Sequence, residues 1–297
     1  MPLKLAIGIP TCGRPRAVEA CLDSIAANVT TEHRVIVVDS LITDAGRQMY
    51  ARYPGVTVIA REKPIGPSEA RRLIAAEADT DLVLFLDDDN LVTPGSVEAL
   101  LKHLDDHPEV DIAAGAWRED RAEQRRALGQ YFHFGRNARG DAVYKEFVLV
   151  DEALRLGLSA VRVDGVQATM LVRRAVFERA SFDPRYDFFF ELYDFFMQCR
   201  QQNVRIEALP GVIFDHRPVP YEGATLKQTS DREVDRRRFA AKWSMEPVEG
   251  RDATAGGGKG KRPPGRRSLL RRVARRIVGG SSKPAGRGGG RRNRDAD

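Results

Sequence analysis

Apolar positions follow two alternating rhythms over the first 115 residues. Residues 3–9 form a short apolar run ended by Pro10, the pattern of a buried strand. Over 14–28, Ala17, Val18, Cys21, Leu22 and Ile25 recur at the spacing that lines one face of a helix. The alternation continues with strands over 35–38, 56–60, 82–86 and 111–115, and helices over 45–53, 68–78 and 96–104. Thr93-Pro94 marks the start of the last of these helices. Strand and helix taking turns imply βαβ units and a mainly parallel, Rossmann-like sheet flanked by helices. Such sheets bind ligands at the carboxyl ends of their strands. Three groups sit just past a strand: Pro10 and Thr11, Asp39 and Ser40, and Asp87 to Asp89.

The second half has a different texture. Residues 118–148 are polar with no clear period and read as an irregular excursion over the site. Two strand-like pieces flank Gly165 within 160–173, a helix covers 191–202, short strands cover 204–208 and 212–214, and a charged amphipathic helix covers 231–245. No internal repeat is present.

Composition narrows the class. With 297 residues and 42% apolar content, the chain builds a core and is not globally disordered. Three cysteines, at 12, 21 and 199, make neither a disulfide framework nor a zinc motif, which suits a reducing, cytoplasmic setting. No apolar run approaches the length of a membrane span, and the first ten residues do not make a secretory signal. The net charge of +6 hides an asymmetry. Residues 250–297 carry 15 Lys+Arg against 3 Asp+Glu, leaving 33 and 39 for residues 1–249. A mildly acidic domain, 1–249, therefore carries a basic, Gly- and Pro-bearing tail of little regular structure, with the boundary near 249. Within that tail, 256–261 lacks the Ser or Thr and the preceding strand of a phosphate loop. Leu269, Leu270, Val273, Ile277 and Val278, with Arg271, Arg272, Arg275 and Arg276 between them, suit a basic amphipathic helix over 266–278. Its chemistry fits weak contact with anionic lipid at the inner membrane face. The 1–249 domain shows no basic groove for nucleic acid.

The chemistry concentrates at two acidic sites. Five apolar residues, 82–86, run directly into Asp87, Asp88 and Asp89. Carboxylates gathered at one strand end repel, and a hard divalent cation, Mg²⁺ or Mn²⁺, supplies a reason to gather them, since it takes oxygen ligands and shares them with substrate phosphates. Asp87 and Asp89 lie two apart, so an extended chain puts both on one side. The bland alternative is a polar turn capping the next helix. Further on, Glu191 and Asp194 lie three apart in an aromatic-rich segment and share one helical face. A partly desolvated carboxylate has a raised pKa and serves as a general base. His216 follows a short strand, where a lone His is more often a structural or surface residue than a ligand, and Asp215 beside it is placed to orient the ring.

Read in order, Ile7-Gly8-Ile9-Pro10-Thr11-Cys12-Gly13-Arg14, Val35 to Ser40, Gly66-Pro67-Ser68-Glu69-Ala70-Arg71, and Phe85 to Asp89 resemble the nucleotide-binding half of a family 2 glycosyltransferase with the GT-A fold. The resemblance covers about the first 115 residues and returns at 182–216. It implies that Pro10 and Thr11 line a nucleotide pocket, Asp39 accepts a hydrogen bond from the base, and Arg71 lies near the diphosphate. It places Asp87 and Asp88 on the nucleotide-sugar and Asp89 on the metal, with His216 completing the metal shell. Activity by this analogy is inverting, metal-dependent transfer of a sugar from a nucleotide diphosphate, UDP favoured, to an acceptor hydroxyl that the sequence does not name. Glu191 or Asp194 is the base, since Leu192 departs from the family's usual Glu-Asp pair; Glu191 is preferred because it opens the helix after an aromatic run. A sugar-nucleotidyltransferase is the rival enzyme, although residues 8–14 lack its Gly-rich, Arg-containing phosphate loop. A non-catalytic nucleotide-sugar binder is the second rival.

Overall fold

The computed structural model describes residues 4–121, 124–137, 140–218 and 230–248. The tail and its amphipathic stretch at 266–278 lie outside these residues. The elements run β1 (Leu5–Thr11), α1 (Pro15–Asn28), β2 (His33–Asp39), α2 (Asp44–Tyr50), β3 (Val56–Ala60), α3 (Pro67–Glu77), β4 (Leu82–Phe85), β5 (Asn90–Leu91) and α4 (Ser96–Asp106). There follow β6 (Ile112–Arg121), β7 (Gln124–Asn137), β8 (Gly140–Leu149), α5 (Val150–Arg155), β9 (Val161–Val163), β10 (Met170–Arg173) and a 3₁₀ turn, Arg174–Glu178. The last elements are α6 (Glu191–Gln201), β11 (Ile206–His216), α7 (Arg232–Trp243) and β12 (Glu246–Val248).

The described strands form one sheet in the order β12-β8-β7-β6-β10-β4-β1-β2-β3, with β11 pairing β5, β6 and β9. The strands β4, β1, β2 and β3 are parallel, as the alternating rhythm requires. Strand β10 runs antiparallel between β4 and β6, so the sheet is mixed beyond the first half. Side chains on β1 alternate between two covered faces. Ile7 and Ile9 join a core with Val18, Leu22 and Ile25 of α1 and Val97, Leu100 and Leu104 of α4. Gly8 faces the other way, where a Cβ would overlap Ile74 of α3. Each fully buried aliphatic side chain in this core contributes about 1.5–3 kcal/mol. The pinning of β1 between two helix layers fixes the strand ends that carry the acidic residues.

Two expectations need correction. Residues 118–148 are not irregular: β6 continues to Arg121 and pairs antiparallel with β7, which pairs with β8 from Leu128–Leu149 to Asn137–Gly140. Tyr131, Phe132 and Phe134, with Val143, Tyr144, Phe147 and Val148, are the β-branched and aromatic types that favour strands, and interspersed charges masked their period. The two short strands expected over 204–214 are one strand, β11, whose register against β6 shifts between Ala208 and Ile213, where Pro210 and Gly211 interrupt the ladder. Helix α5 was not signalled by any spacing. Among the described residues, no helix is long and apolar enough to cross a membrane.

Candidate active site

Because β4, β1 and β2 are parallel neighbours, Thr11, Asp39 and the segment after Phe85 emerge at the same sheet edge. The three aspartates are not extended. The backbone N–H of Asn90 donates to the Asp87 carbonyl at 2.9 Å, so the chain turns over Asp87–Asn90. That turn sends Asp88 inward, 4% exposed, and leaves Asp87 and Asp89 partly exposed on the rim.

Asp88 is fixed from within. The Thr11 hydroxyl donates to Asp88 Oδ2 at 2.6 Å, and Arg14 Nη1 donates to Oδ1 at 2.6 Å. Arg14 Nη2 reaches Asp89 Oδ2 at 3.3 Å. Burial pushes Asp88 up to about 7 against the pull of Arg14, and burial, with Asp87 alongside, also raises Asp89. Arg14 was quoted in the first motif but given no role. Its signal was chemical: a cluster of carboxylates beside a sheet needs a buried counter-charge, and Arg14 opens the helix after β1. Thr11 is thereby a support for Asp88. Asp39 is 1% exposed, and its carboxylate accepts from Gly13 N–H at 3.0 Å, Leu41 N–H at 3.2 Å and the Tyr50 hydroxyl at 3.0 Å. It ties the loop after β1, where Gly13 has φ +60°, to the loop after β2. Pro10, half-buried, ends beside Val38.

On the opposite side of Asp89 stands His216, at the end of β11, with Nε2 3.6 Å from Asp89 Oδ1. The backbone N–H of Arg217 donates to the Asp89 carbonyl at 2.8 Å, so the two chain ends are tied directly. His216 Nδ1 is 3.0 Å from Glu119 Oε1, its register partner on β6. Trp117, two residues before Glu119, stacks on the imidazole at 5.0 Å between centroids. Asp215 does not orient His216. It pairs with Arg118 at 2.6 Å, because neighbours in a strand point to opposite faces. Glu119 takes that place.

These residues fit a divalent cation. With Glu119 accepting the Nδ1 proton, the Nε2 lone pair of His216 faces Asp89, the carboxylate–histidine arrangement found behind metal ligands. No three His, Cys, Asp or Glu side chains converge as a full cage among the described residues.

Arg71 links this edge to the second acidic site. It is 3% exposed on α3; Nη2 donates to Asp87 Oδ1 at 2.9 Å, and Nη1 reaches Glu191 Oε1 at 3.4 Å. Glu191 opens α6, and its side chain is 12% exposed. Burial pushes its carboxyl up to about 7, with Arg71 pulling the other way. Helix α3 lies against this segment at its first turn: the Ser68 hydroxyl donates to the Asp183 carbonyl at 2.8 Å, and a Cβ at Gly66 would overlap the Asp187 backbone. Asp194 is not brought to the site. It is fully buried and accepts from Tyr186, Gln198, Lys242 and Trp243, which fastens α6 to α7.

A model of the family described as glycosyl transferase family 2 matches residues 6–180, more than half of the chain. An uncharacterized glycosyltransferase of Haemophilus influenzae is 32% identical over 110 residues, covering 36% of this chain and 37% of the relative. The uncharacterized glycosyltransferase YwdF of Bacillus subtilis is 32% identical over 108 residues, covering 35% and 39%. The chain thus aligns with well under half the length of these relatives. Among solved structures, S. aureus TarS 1–349 in complex with UDP-GlcNAc superposes with a TM-score of 0.54 at 18% identity, covering 76% of this chain and 61% of that one. TarS 1–349 alone gives 0.52 at 17%, covering 72% and 60%. The fold is shared with a GT-A glycosyltransferase, and the chain belongs to glycosyl transferase family 2.

Proposed function

We propose that this glycosyltransferase moves a sugar from a nucleotide-diphosphate donor, a UDP-sugar in the first instance, to an acceptor hydroxyl with inversion at the anomeric carbon. The observation that carries the reading is the chain Asp87–Arg71–Glu191: one buried guanidinium spans the rim of the acidic cluster and a carboxylate whose pKa is raised into the working range of a general base. The bound UDP-GlcNAc of TarS on the same fold supports the donor class.

In this reading Glu191 accepts the proton of the acceptor hydroxyl. The acceptor oxygen forms the new bond to the anomeric carbon as the bond to the diphosphate oxygen breaks, and the leaving diphosphate takes the electron pair. Asp89 and His216 would hold Mn²⁺ or Mg²⁺, which when bound would neutralise the charge of the leaving diphosphate. Arg71, whose Nε–H is buried with no acceptor among the described residues, holds cationic charge between donor and base. The sheet edge and α6 set donor and acceptor in line, which supplies much of the acceleration.

The test is a panel of nucleotide-sugars incubated with the protein, with and without Mn²⁺, reading binding and nucleotide release. Turnover of one of them, reduced about 10²–10⁴-fold in Glu191→Gln with binding retained, is the expected result. A Glu191→Gln variant as fast as wild type sinks the base assignment. Pyrophosphate release from a nucleoside triphosphate and a sugar phosphate would favour nucleotidyl transfer.

A further inference from the structure

Glu191 sits at an awkward point in the chain. The residue before it, Phe190, has φ +62°, a left-handed conformation uncommon for a bulky side chain. Something outside the local sequence must hold that turn, and α7 does. Asp235, 1% exposed on α7, accepts at Oδ2 from the backbone N–H groups of Phe188 at 3.2 Å and Phe189 at 3.0 Å. Its Oδ1 accepts from Arg238 at 2.6 Å, and Arg238 lies over the Tyr186 ring at 5.7 Å. One helical turn on, Phe239 is fully buried against Phe190 and Tyr193. Arg232 lies over the Phe189 and Phe190 rings at 4.9 and 5.1 Å. A buried carboxylate that gathers two successive amides and a guanidinium is a costly group to place in a helix unless that turn must be held.

We infer that Asp235 is a positioning residue for the reaction: it fixes the left-handed turn at Phe190 and so aims the carboxylate of Glu191. This rests on Glu191 being the base, and it extends the catalytic arrangement to the far helix. The charged groups acting on Glu191 are Arg71, Asp87 and Asp235 itself, and Asp235 adds a repulsive charge that helps keep the Glu191 proton on.

The test uses the full chain with Asp235→Ala and Asp235→Asn. The carboxyl of Glu191 is followed by ¹³C NMR titration, assigned with Glu191→Gln; UDP binding is measured with Mn²⁺ present, and UDP release from UDP-GlcNAc is timed. For Asp235→Ala we expect loss of hydrogen-exchange protection at the Phe188 and Phe189 amides and a lower Glu191 titration midpoint. UDP release slows by about 10²-fold, the scale of a misplaced reacting group, while UDP affinity stays within about twofold because its site is at the strand ends. Asp235→Asn keeps an acceptor for both amides but loses the charge. It therefore lowers the midpoint while restoring most of the turnover, and it stands in if the alanine variant does not fold. Unchanged protection of the Phe188 and Phe189 amides with unchanged turnover in Asp235→Ala overturns the inference, as does UDP affinity falling in step with turnover, the mark of a merely structural role. Failure of the base assignment is read separately, from Glu191→Gln turning over like wild type. If UDP-GlcNAc is not hydrolysed, the amide protection still decides.

Discussion

The two acidic sites are built differently. The buried strand-end aspartate, Asp88, is held by its own half of the molecule: Thr11 and Arg14, at the end of the adjacent parallel strand and just past it, reach its carboxylate. Glu191 is held by elements far along the chain, α3 on one side and α7 on the other. The first site inherits its precision from sheet register. The second inherits it from helix docking, where one buried carboxylate or one missing Cβ sets the alignment. The comparison teaches that the donor edge should tolerate changes in α7, and that the base should be sensitive to changes that leave the strand ends untouched.

The sharpest way to break the first site is at its cation ligand. Asp89→Ala removes one of the two side chains proposed to hold the cation, and we expect nucleotide-sugar turnover to fall by about 10³-fold or more. Mn²⁺ dependence of UDP binding should be lost in the same variant. Turnover equal to wild type would reject the metal role for Asp89. A second break is Arg14→Ala. It leaves Asp88, whose side chain is 5% exposed, without its cation. Removing one partner of a buried pair costs about 3–5 kcal/mol. Urea unfolding at neutral pH should show that loss; a midpoint unchanged from wild type would mean Asp88 is protonated there and needs no partner.

How much of this was legible in the sequence follows the same division. The apolar run into Asp87–Asp89 could be read because a buried strand announces its own end. Its inward-turned member, Asp88, could not, because the local turn replaced the extended chain that the spacing suggested. Glu191 was legible as a helix-opening acid among aromatics. Asp194, three residues on, was not separable from it, since shared helical facing says nothing of what lies opposite; Lys242 and Trp243 do. Glu119 escaped notice because its pairing with His216 depends on β6 extending past Gly115, a continuation masked by charges. Long-range register and docking are the physical content that a single sequence does not print.

At the second site, Gly66→Ala tests the helix contact. The added Cβ meets the Asp187 carbonyl, which is backbone and cannot rotate away, so α3 or the 183–190 segment must move. Overpacking of this kind costs about 1–3 kcal/mol. The Arg71–Glu191 pair should loosen with it, giving a kcat loss with little change in donor KM. A variant with equal losses in both would place the damage at the donor edge and blur the division between the sites.

The smallest effect is the most direct reading of the buried base. Glu191 is raised to about 7 in the folded protein from an ordinary value of 4.5. The folded state therefore holds the proton more tightly than the unfolded chain. That contribution is fully present below pH 4.5 and is lost as pH rises through about 7. Glu191→Gln carries no such proton, so stability of wild type relative to this variant should decline between pH 5 and pH 8. The shift from 4.5 to about 7 already includes the pull of Arg71, and the decline should be on the order of 1–3 kcal/mol. Asp88 titrates in the same range in both proteins and cancels from the difference. Denaturant midpoints at four pH values decide it: parallel curves for the two proteins would mean that Glu191 ionises as an ordinary surface carboxylate. Its burial against α3 would then not be what prepares it to take a proton.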